Sequence, residues 1–257
     1  MRPAAGAGAL RSRSVTEVED SEPRLQPLRA QVYRDPRPPE AFARYHERAR
    51  TRAPDFVYDV VRILTCLTAW TLFRARGRSA ERVPPRGAVI LAANHFSYMD
   101  HFFMGAFTRR RVRFMAKSQL FKRPMDWVYS HGGVFPVRRG AQDDEAFVTA
   151  NAILARGGCV AMYLEGGRSR TGTLSAAARP GVGRLALESG ATVVPVAIHG
   201  SARVRNWRRA EFPRITVLYG EPLRFERVPR PTRAQAQRVA EDVFADIKRL
   251  YGALEAR

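Results

Sequence analysis

Short apolar runs alternate with helical stretches over most of the chain after residue 80. The apolar runs predict buried strands at 88–93, 112–116, 134–137, 159–164, 192–198 and 215–219. Apolar positions spaced three and four apart predict helices at 142–156, 183–189 and 232–251, with Gly190 and Thr232 suited to capping the last two. Such alternation is typical of a largely parallel sheet covered on both faces. We therefore expect an α/β fold with a central sheet flanked by helices.

The chain before residue 81 has a different character. Residues 1–40 are rich in Pro, Arg and Ala and poor in large apolar residues, so we predict a disordered tail. Residues 41–80 are predicted to be helical, beginning with a short polar helix at 41–52. The remaining residues, 81–257, are expected to form one folded domain, a size that a single core can support.

The helical segment contains an apolar stretch at 56–73 that is interrupted by Asp59 and Arg62. Only 63–73 is free of charge, which is too short to span a bilayer. Aromatic residues within the stretch and arginines just after it are typical of a helix at a membrane interface. A helix packed entirely on the folded domain is the alternative.

The formal charge of +20 favours anionic partners, such as lipid head groups, phosphorylated substrates or nucleic acid. The abundance of Arg, Ala, Gly and Pro can also reflect a biased genome. Residues 1–55 contain 11 Arg and 8 acidic residues, so the rest of the chain carries +17 and the charge is not concentrated in a basic arm. Two cysteines, Cys66 and Cys159, form no Cys-x-x-Cys pair, which fits a reducing cytoplasm.

Three polar clusters follow predicted strands, where functional groups gather in parallel sheets. The first is 94–100, with His95 and Asp100 five residues apart. In one continuous helix these side chains would point roughly 140° apart. They can meet if His95 lies in a turn and Asp100 in the first turn of the next helix. Asp100 would then orient the imidazole as a general base, although capping that helix is the alternative role.

The second cluster, 133–140, includes the predicted strand at 134–137 and ends just after it, and the third, 165–172, follows the strand at 159–164. Two glycines, Gly166 and Gly167, would let the backbone approach an anion closely. Arg139 and Arg168 could bind a phosphate through two hydrogen bonds each, although for each arginine taken singly a solvated surface charge is the favoured interpretation.

Taken together, these clusters resemble the motifs of the glycerolipid acyltransferases, most closely the 1-acyl-sn-glycerol-3-phosphate (lysophosphatidic acid) acyltransferase family. The family pattern is Asn-His-x-x-x-x-Asp, Gly-x-Phe-Pro-Val-x-Arg, Glu-Gly-Thr-Arg-Ser and Val-Pro-Val. These blocks appear here in order at 94–100, 133–139, 165–169 and 194–196. The resemblance covers roughly residues 56–220 and implies that the apolar stretch is a membrane-docking helical motif and that 81–257 is the acyltransferase domain.

The resemblance also implies a reaction. A fatty acyl group would move from acyl-CoA or acyl-carrier protein to the hydroxyl of a lysophosphatidic-acid-type acceptor, making phosphatidic acid, with no cofactor and no metal. His95 and Asp100 would be catalytic, and Lys117, Arg139 and Arg168 would bind the phosphate. The remaining motif positions would form or line the substrate site: Asn94, Ser97, Gly133, Phe135, Glu165, Gly166, Gly167, Ser169 and Pro195.

One position departs from that family. Gly167 stands where Thr is usual, and the block from Glu165 onward looks more like that of glycerol-3-phosphate acyltransferases. Acylation of glycerol 3-phosphate or of another lipid hydroxyl is therefore the alternative reaction. In either case the expected partners are the membrane surface and the acyl carrier, at the cytoplasmic face of the cell membrane.

Other functional classes have weaker support. The basic run at 109–113 suggests a nucleic-acid binder, but no helix-turn-helix, zinc-finger or stacking motif accompanies it, so no nucleic acid is expected. His95, Asp100 and His101 suggest a metal hydrolase, but their spacing is not that of a zincin helix. A serine hydrolase is disfavoured because Gly-x-Ser-x-Gly is missing from the sequence.

Overall fold

The structure is a computed structural model that describes Leu25, residues 35–138 and residues 143–256, without the side chains of 207 and 208. Most of the predicted disordered tail, the site residue Arg139 and the start of the helix predicted at 142 lie outside the described residues.

A seven-stranded sheet forms the centre of the protein, as the sequence predicts. Its strands are β1 (Arg76–Arg78), β2 (Val89–Ala93), β3 (Val112–Lys117), β4 (Val134–Val137), β5 (Cys159–Tyr163), β6 (Thr192–His199) and β7 (Thr216–Tyr219). They are ordered β1-β7-β6-β2-β5-β3-β4, and every neighbouring pair is parallel except β6 and β7. The carboxyl ends of β2 to β6 therefore meet at one edge of the sheet, which we call the carboxyl edge.

Helices cover both faces of this sheet. They are α1 (Ala43–Thr51), α2 (Phe56–Thr71), α3 (Asp100–Phe107), α4 (Met125–His131), α5 (Asp144–Ala155), α6 (Gly181–Ser189) and α7 (Arg233–Glu255). Alternate residues of β2 serve the two faces: Ile90 packs with α1, α5, α6 and α7, and Leu91 packs with α2 and α3. The predicted caps are present, since Gly190 has φ +65° and the Thr232 side chain accepts from the Gln235 N–H.

The boundary expected at residue 80 differs from the structure. Arg76–Arg78 lies within the segment predicted to be helical, yet it is an edge strand paired in parallel with β7. An edge strand of three residues carries no apolar run that could reveal it. Gly77 is required there, because a Cβ would lie 2.6 Å from the Phe107 side chain. The sheet therefore begins before residue 81.

Helix α2 has two apolar faces with different environments. Its inner face buries Val57, Tyr58 and Ala69, and Asp55 caps its start by accepting from the Val57 N–H. Its outer face leaves six large apolar side chains 48–66% exposed, and we call them the outer face of α2: Phe56, Val60, Ile63, Leu64, Leu67 and Trp70. In the part of the chain that the structure describes, no helix is long and apolar enough to cross a membrane.

Candidate active site

The contact predicted between His95 and Asp100 is present at the carboxyl edge. His95 lies in the turn after β2, and Asp100 is the first residue of α3. Asp100 Oδ2 lies 2.9 Å from His95 Nδ1 and also accepts from the backbone N–H groups of Phe96 (2.7 Å) and Ser97 (2.8 Å). One carboxylate oxygen therefore both orients the imidazole and holds the turn, so the two roles considered for Asp100 coexist.

This geometry assigns the imidazole protons. An ionised carboxylate only accepts, so Nδ1 of neutral His95 carries the hydrogen that it donates to Asp100. The other ring nitrogen, Nε2, is then the basic one. The His95 ring stacks on Tyr163 at the end of β5, with centroids 3.9 Å apart and an interplanar angle of 11°.

The loop after β5 holds the backbone of His95 on both sides. The His95 N–H donates to Glu165 Oε1 (3.0 Å), and the His95 carbonyl accepts from the Ser169 N–H (2.8 Å). Burial raises the pKa of Glu165 from its usual 4.5 to about 7, the nearby Asp100 charge adds to the rise, and the His95 N–H opposes it. Glu165 therefore lies in the site as a positioning group for His95.

The same loop forms an open pocket of about 510 Å³. The residues that line it include Glu165, the two glycines after it and three arginines, Arg168, Arg170 and Arg179. Within the described residues, none of these three arginines forms an ion pair. Three guanidinium groups against one carboxyl group suit an anionic ligand. We call this the arginine pocket.

The two glycines of the pocket, Gly166 and Gly167, differ in whether their backbone N–H is already hydrogen-bonded among the described residues. Gly166 has φ +65°, and a Cβ there would lie 3.1 Å from Cγ of Arg179. A glycine therefore lets the Arg179 side chain pack closely against the backbone at this point. The Gly166 N–H donates to the Tyr163 carbonyl (3.3 Å), so it is already engaged. Of the two backbone groups considered for anion binding, Gly167 is the better candidate.

Three predicted substrate-site residues instead have hydrogen bonds within the protein. Asn94 is fully buried and joins β2 to β6 through bonds with the backbone N–H and carbonyl of Ile198 (2.8 and 3.0 Å). Ser97 Oγ accepts from the Met99 N–H (3.1 Å), and Ser169 Oγ donates to the Thr173 carbonyl (2.7 Å). These residues shape the turn and the loop that carry the site.

The other predicted positions are not gathered around His95. Phe135 is fully buried in the core beside α5, and Pro195 is buried within β6 opposite Ala92. Gly133 (φ +85°) precedes β4, at the opposite end of that strand from the carboxyl edge, where a Cβ would lie 2.6 Å from Pro54 Cγ. Lys117 ends β3 at the carboxyl edge, with β5 between its strand and β2.

The sequence reasoning gave no role to three arginines of the candidate site: Arg170, which lies within the third cluster, Arg179 and Arg205. Arg179 lines the pocket, and its backbone N–H donates to the Leu164 carbonyl (2.7 Å). Arg205 lies in the 3₁₀ helix Ser201–Arg209 and bonds to carbonyl groups of both site loops. The sequence feature that could have revealed Arg205 is its position shortly after the predicted strand at 192–198, because that strand also ends at the carboxyl edge.

The neighbouring His101 differs from His95. Burial lowers the pKa of His101 to about 4, and the positive charge on His95 when protonated adds to this. Its ring packs against Phe102 and Phe114, so it is a neutral aromatic group near pH 7. Across 35–138 and 143–256, no three His, Cys, Asp or Glu side chains are placed to hold a metal ion.

Comparison with known proteins gives two findings. Residues 74–199 match the family model described as Acyltransferase. The structure is similar to the crystal structure of PlsC, the 1-acyl-sn-glycerophosphate (LPA) acyltransferase from Thermotoga maritima, with a TM-score of 0.63 and 21% identity over 84% of this chain and 90% of that chain. At this identity the likeness shows a shared fold. No curated protein matches the sequence.

Proposed function

We propose that the protein is an O-acyltransferase of glycerolipid synthesis, on the premise that residues 74–199 match the family model described as Acyltransferase. The acyl group would come from acyl-CoA or acyl-carrier protein, and the acceptor would be a lysophosphatidic-acid-type lipid with a free hydroxyl. The observation that carries the proposal is the oriented His95–Asp100 pair joined to the arginine pocket through the Glu165 and Ser169 bonds.

In the proposed reaction, Nε2 of His95 removes the proton from the acceptor hydroxyl. The hydroxyl oxygen attacks the thioester carbonyl carbon, and the C–O bond forms as the C–S bond breaks. The imidazolium, stabilised by Asp100, returns its proton to the leaving thiolate, so the products are an ester and a free thiol. A protein nucleophile is not required. Cys159 is unsuited to that role because burial raises its pKa to about 12.

The arginine pocket is the proposed site for the acceptor phosphate. Arg168 and Arg170 lie in the loop after β5, and the Arg179 side chain packs beside Gly166 in the same pocket. Binding the phosphate there would present the hydroxyl to His95 at a fixed distance, which lowers the entropic barrier. Lys117, at the end of β3, and Arg139 remain proposed contributors from the neighbouring strands. A shorter acceptor, glycerol 3-phosphate, would use the same pocket and is the second candidate.

The proposed membrane contact rests on the outer face of α2. Its apolar side chains lie on a helix that also packs on the catalytic domain, so docking would bring the site to the bilayer. Basic residues near an anionic surface add about 1 kcal/mol each to docking. A peripheral or monotopic position at the cytoplasmic face fits both the carriers named above and the unpaired cysteines, Cys66 and Cys159.

An acyl-transfer assay with a panel of acceptors and both carriers tests this proposal. His95→Ala should lower kcat by roughly 10²- to 10⁴-fold, because a general base is lost. Arg168→Ala should raise KM for the phosphorylated acceptor far more than KM for the donor. Wild-type turnover in His95→Ala, or equal increases in KM for acceptor and donor in Arg168→Ala, would contradict the assignment.

The protein offers a matched control for the first variant. His131 Nδ1 lies 2.6 Å from Asp55 Oδ2, a second His–Asp pair, at the end of α4 and the start of α2. It lies in neither the turn after β2 nor the arginine pocket. His131→Ala removes the same kind of interaction and should leave kcat nearly unchanged when the two variants are compared at equal folded fraction.

A further inference from the structure

Arg205 is a buried arginine that connects the two loops of the site. The 3₁₀ helix Ser201–Arg209 begins two residues after β6, which places it at the carboxyl edge. The Arg205 side chain turns back into the protein, and the residue is only 8% exposed. Its Nη2 donates to the carbonyls of Phe96 (3.0 Å) and Ser169, and its Nη1 donates to the carbonyl of Arg170 (2.8 Å).

These three carbonyls belong to the parts of the protein that would perform the chemistry. Phe96 follows His95 in the turn closed by Asp100, whereas Ser169 and Arg170 belong to the arginine pocket. Phe96 is 109 residues from Arg205 in the sequence, and Ser169 is 36 residues away. One guanidinium group therefore spans the interval between the imidazole turn and the pocket.

The placement of this charge is energetically costly. Burial lowers the pKa of Arg205, repulsion from Arg168 lowers it further, and the Asp100 carboxylate acts in the opposite direction. No carboxylate lies within ion-pair distance of Arg205 in the part of the chain that the structure describes. Its Nε is also buried without a hydrogen-bond partner there. The three carbonyl bonds and the nearby Asp100 charge offset the loss of hydration.

We propose that Arg205 is a positioning residue that fixes the distance between the His95–Asp100 pair and the arginine pocket. The inference rests on the proposed function, because it assumes that His95 and the pocket act on one acceptor molecule. Without the guanidinium group, three carbonyls lose a shared donor and the two loops can separate. A shift on the order of 1 Å between a base and a bound substrate can cost about 100-fold in rate.

Arg113 provides the comparison for a purely structural role. It is 5% exposed, and its two Nη atoms donate to the carbonyls of Arg52 (2.9 Å) and Ala49 (2.6 Å). Its Nε is also buried without a hydrogen-bond partner. The Ala49 carbonyl lies in the last turn of α1, and the Arg52 carbonyl lies just after this helix. Both lie outside the turn after β2 and outside the arginine pocket. Arg113→Gln therefore removes two guanidinium–carbonyl bonds, against three for Arg205→Gln, at a place without a proposed role in catalysis.

The kinetic test compares Arg205→Gln, Arg205→Lys and Arg113→Gln at temperatures where each is folded. Arg205→Gln should lower kcat/KM for a phosphorylated acceptor by up to about 100-fold and change KM for the acyl donor by less than about twofold. Arg205→Lys should recover part of the loss, since an ammonium group can still donate to carbonyls. In an Arg168→Ala background, Arg205→Gln should cost much less, because the pocket no longer holds the phosphate. Arg113→Gln should leave both parameters near wild type.

Hydrogen–deuterium exchange supplies a readout independent of turnover. Arg205→Gln should raise exchange in both 94–100 and 165–175, whereas Arg113→Gln should raise it near 43–52. Exchange that rises in only one site segment, or a kinetic pattern equal to that of Arg113→Gln, would overturn the positioning role. If the wild-type protein transfers no acyl group, the proposed function fails, and the exchange result still decides whether Arg205 holds the two loops together.

Discussion

At the scale of single residues, a few atoms around His95 each make several of the contacts that hold the candidate site together. One oxygen of Asp100 accepts three hydrogen bonds, while the other, Oδ1, is buried and has no hydrogen-bond partner among the described residues. The backbone of His95 is held at its N–H by Glu165 and at its carbonyl by Ser169. His95 is therefore held by its ring and by the N–H and carbonyl groups of its backbone.

Two substitutions of Asp100 should separate its charge from its hydrogen bonds. Asp100→Asn can keep a carbonyl oxygen in the place of Oδ2, so the turn persists while the charge that stabilises the imidazolium is lost. We expect turnover to fall by roughly 10²–10⁴ with a smaller change in Tm. Asp100→Ala should also lose stability, because each buried donor left unpaired costs about 1–3 kcal/mol. Turnover and thermal unfolding of both variants check this, and an active Asp100→Asn would exclude an electrostatic role.

Glu165 should give the protein a measurable pH dependence of stability. Its pKa is raised from 4.5 to about 7, so the folded state binds a proton that the unfolded state releases within that window. The free energy of unfolding should therefore fall as pH rises from about 4.5 to 7. Glu165→Gln removes the titration and should make the decline shallower. Denaturant unfolding at several pH values measures this dependence of the free energy of unfolding on pH. Glu226→Gln, at an exposed position, is the control. Parallel curves for wild type and Glu165→Gln would contradict the assignment.

At the scale of elements, close backbone packing positions the helices behind the sheet. Helices α6 and α7 cross at Gly183, where a Cβ would lie 1.9 Å from the Ala236 carbonyl oxygen. The contact places α6 against β2, the strand that leads into His95. Glycine at this position is therefore a requirement of the helix pair rather than of a turn.

A pair of glycine substitutions tests that packing. Gly183→Ala should destabilise the protein by about 1–3 kcal/mol or more, because the added methyl group forces the two helices apart. Gly252→Ala, within α7, meets nothing within 4 Å and should stabilise by up to about 1 kcal/mol through helix propensity. Thermal unfolding of both variants measures the difference. A Gly183→Ala protein as stable as wild type would show that the helices can separate freely.

At the scale of the whole molecule, the two faces of the sheet differ in how their covering helices meet the solvent. Both faces bury a hydrophobic core of similar size, but the face covered by α2 and α3 also carries the exposed apolar side chains of the outer face of α2. The formal net charge of +20 favours contact with anionic surfaces. Apolar contact and charge together are the basis of the proposed membrane docking.

Vesicle binding separates these two contributions. Replacing Ile63 and Leu67 by Asn should weaken binding to vesicles containing anionic lipid by roughly tenfold or more, since two apolar side chains no longer enter the interface. Added salt should weaken the remaining binding, because it screens the attraction between charges. Val148, 52% exposed on α5, provides the control substitution Val148→Asn. Co-sedimentation measures all three proteins, and equal binding would contradict docking through α2.

The sequence alone determined the features that depend on neighbouring residues. Continuous apolar runs identified six of the seven strands, and Gly190 and Thr232 marked helix ends through their local backbone requirements. The meeting of His95 with Asp100 was also predictable, because five residues that pass from a turn into a helix allow few arrangements. The edge strand β1 escaped prediction because three residues without apolar alternation leave no periodic signal.

Only the tertiary structure decided which distant residues share the site. Arg179 and Arg205 reach it because β5 and β6 end at the same edge of the sheet as β2, and Phe135 and Pro195 are directed into the core by the pleat of their strands. A motif records that residues occur in order along the chain. Strand order and direction determine which side chains meet, and they arise from packing between segments far apart in sequence.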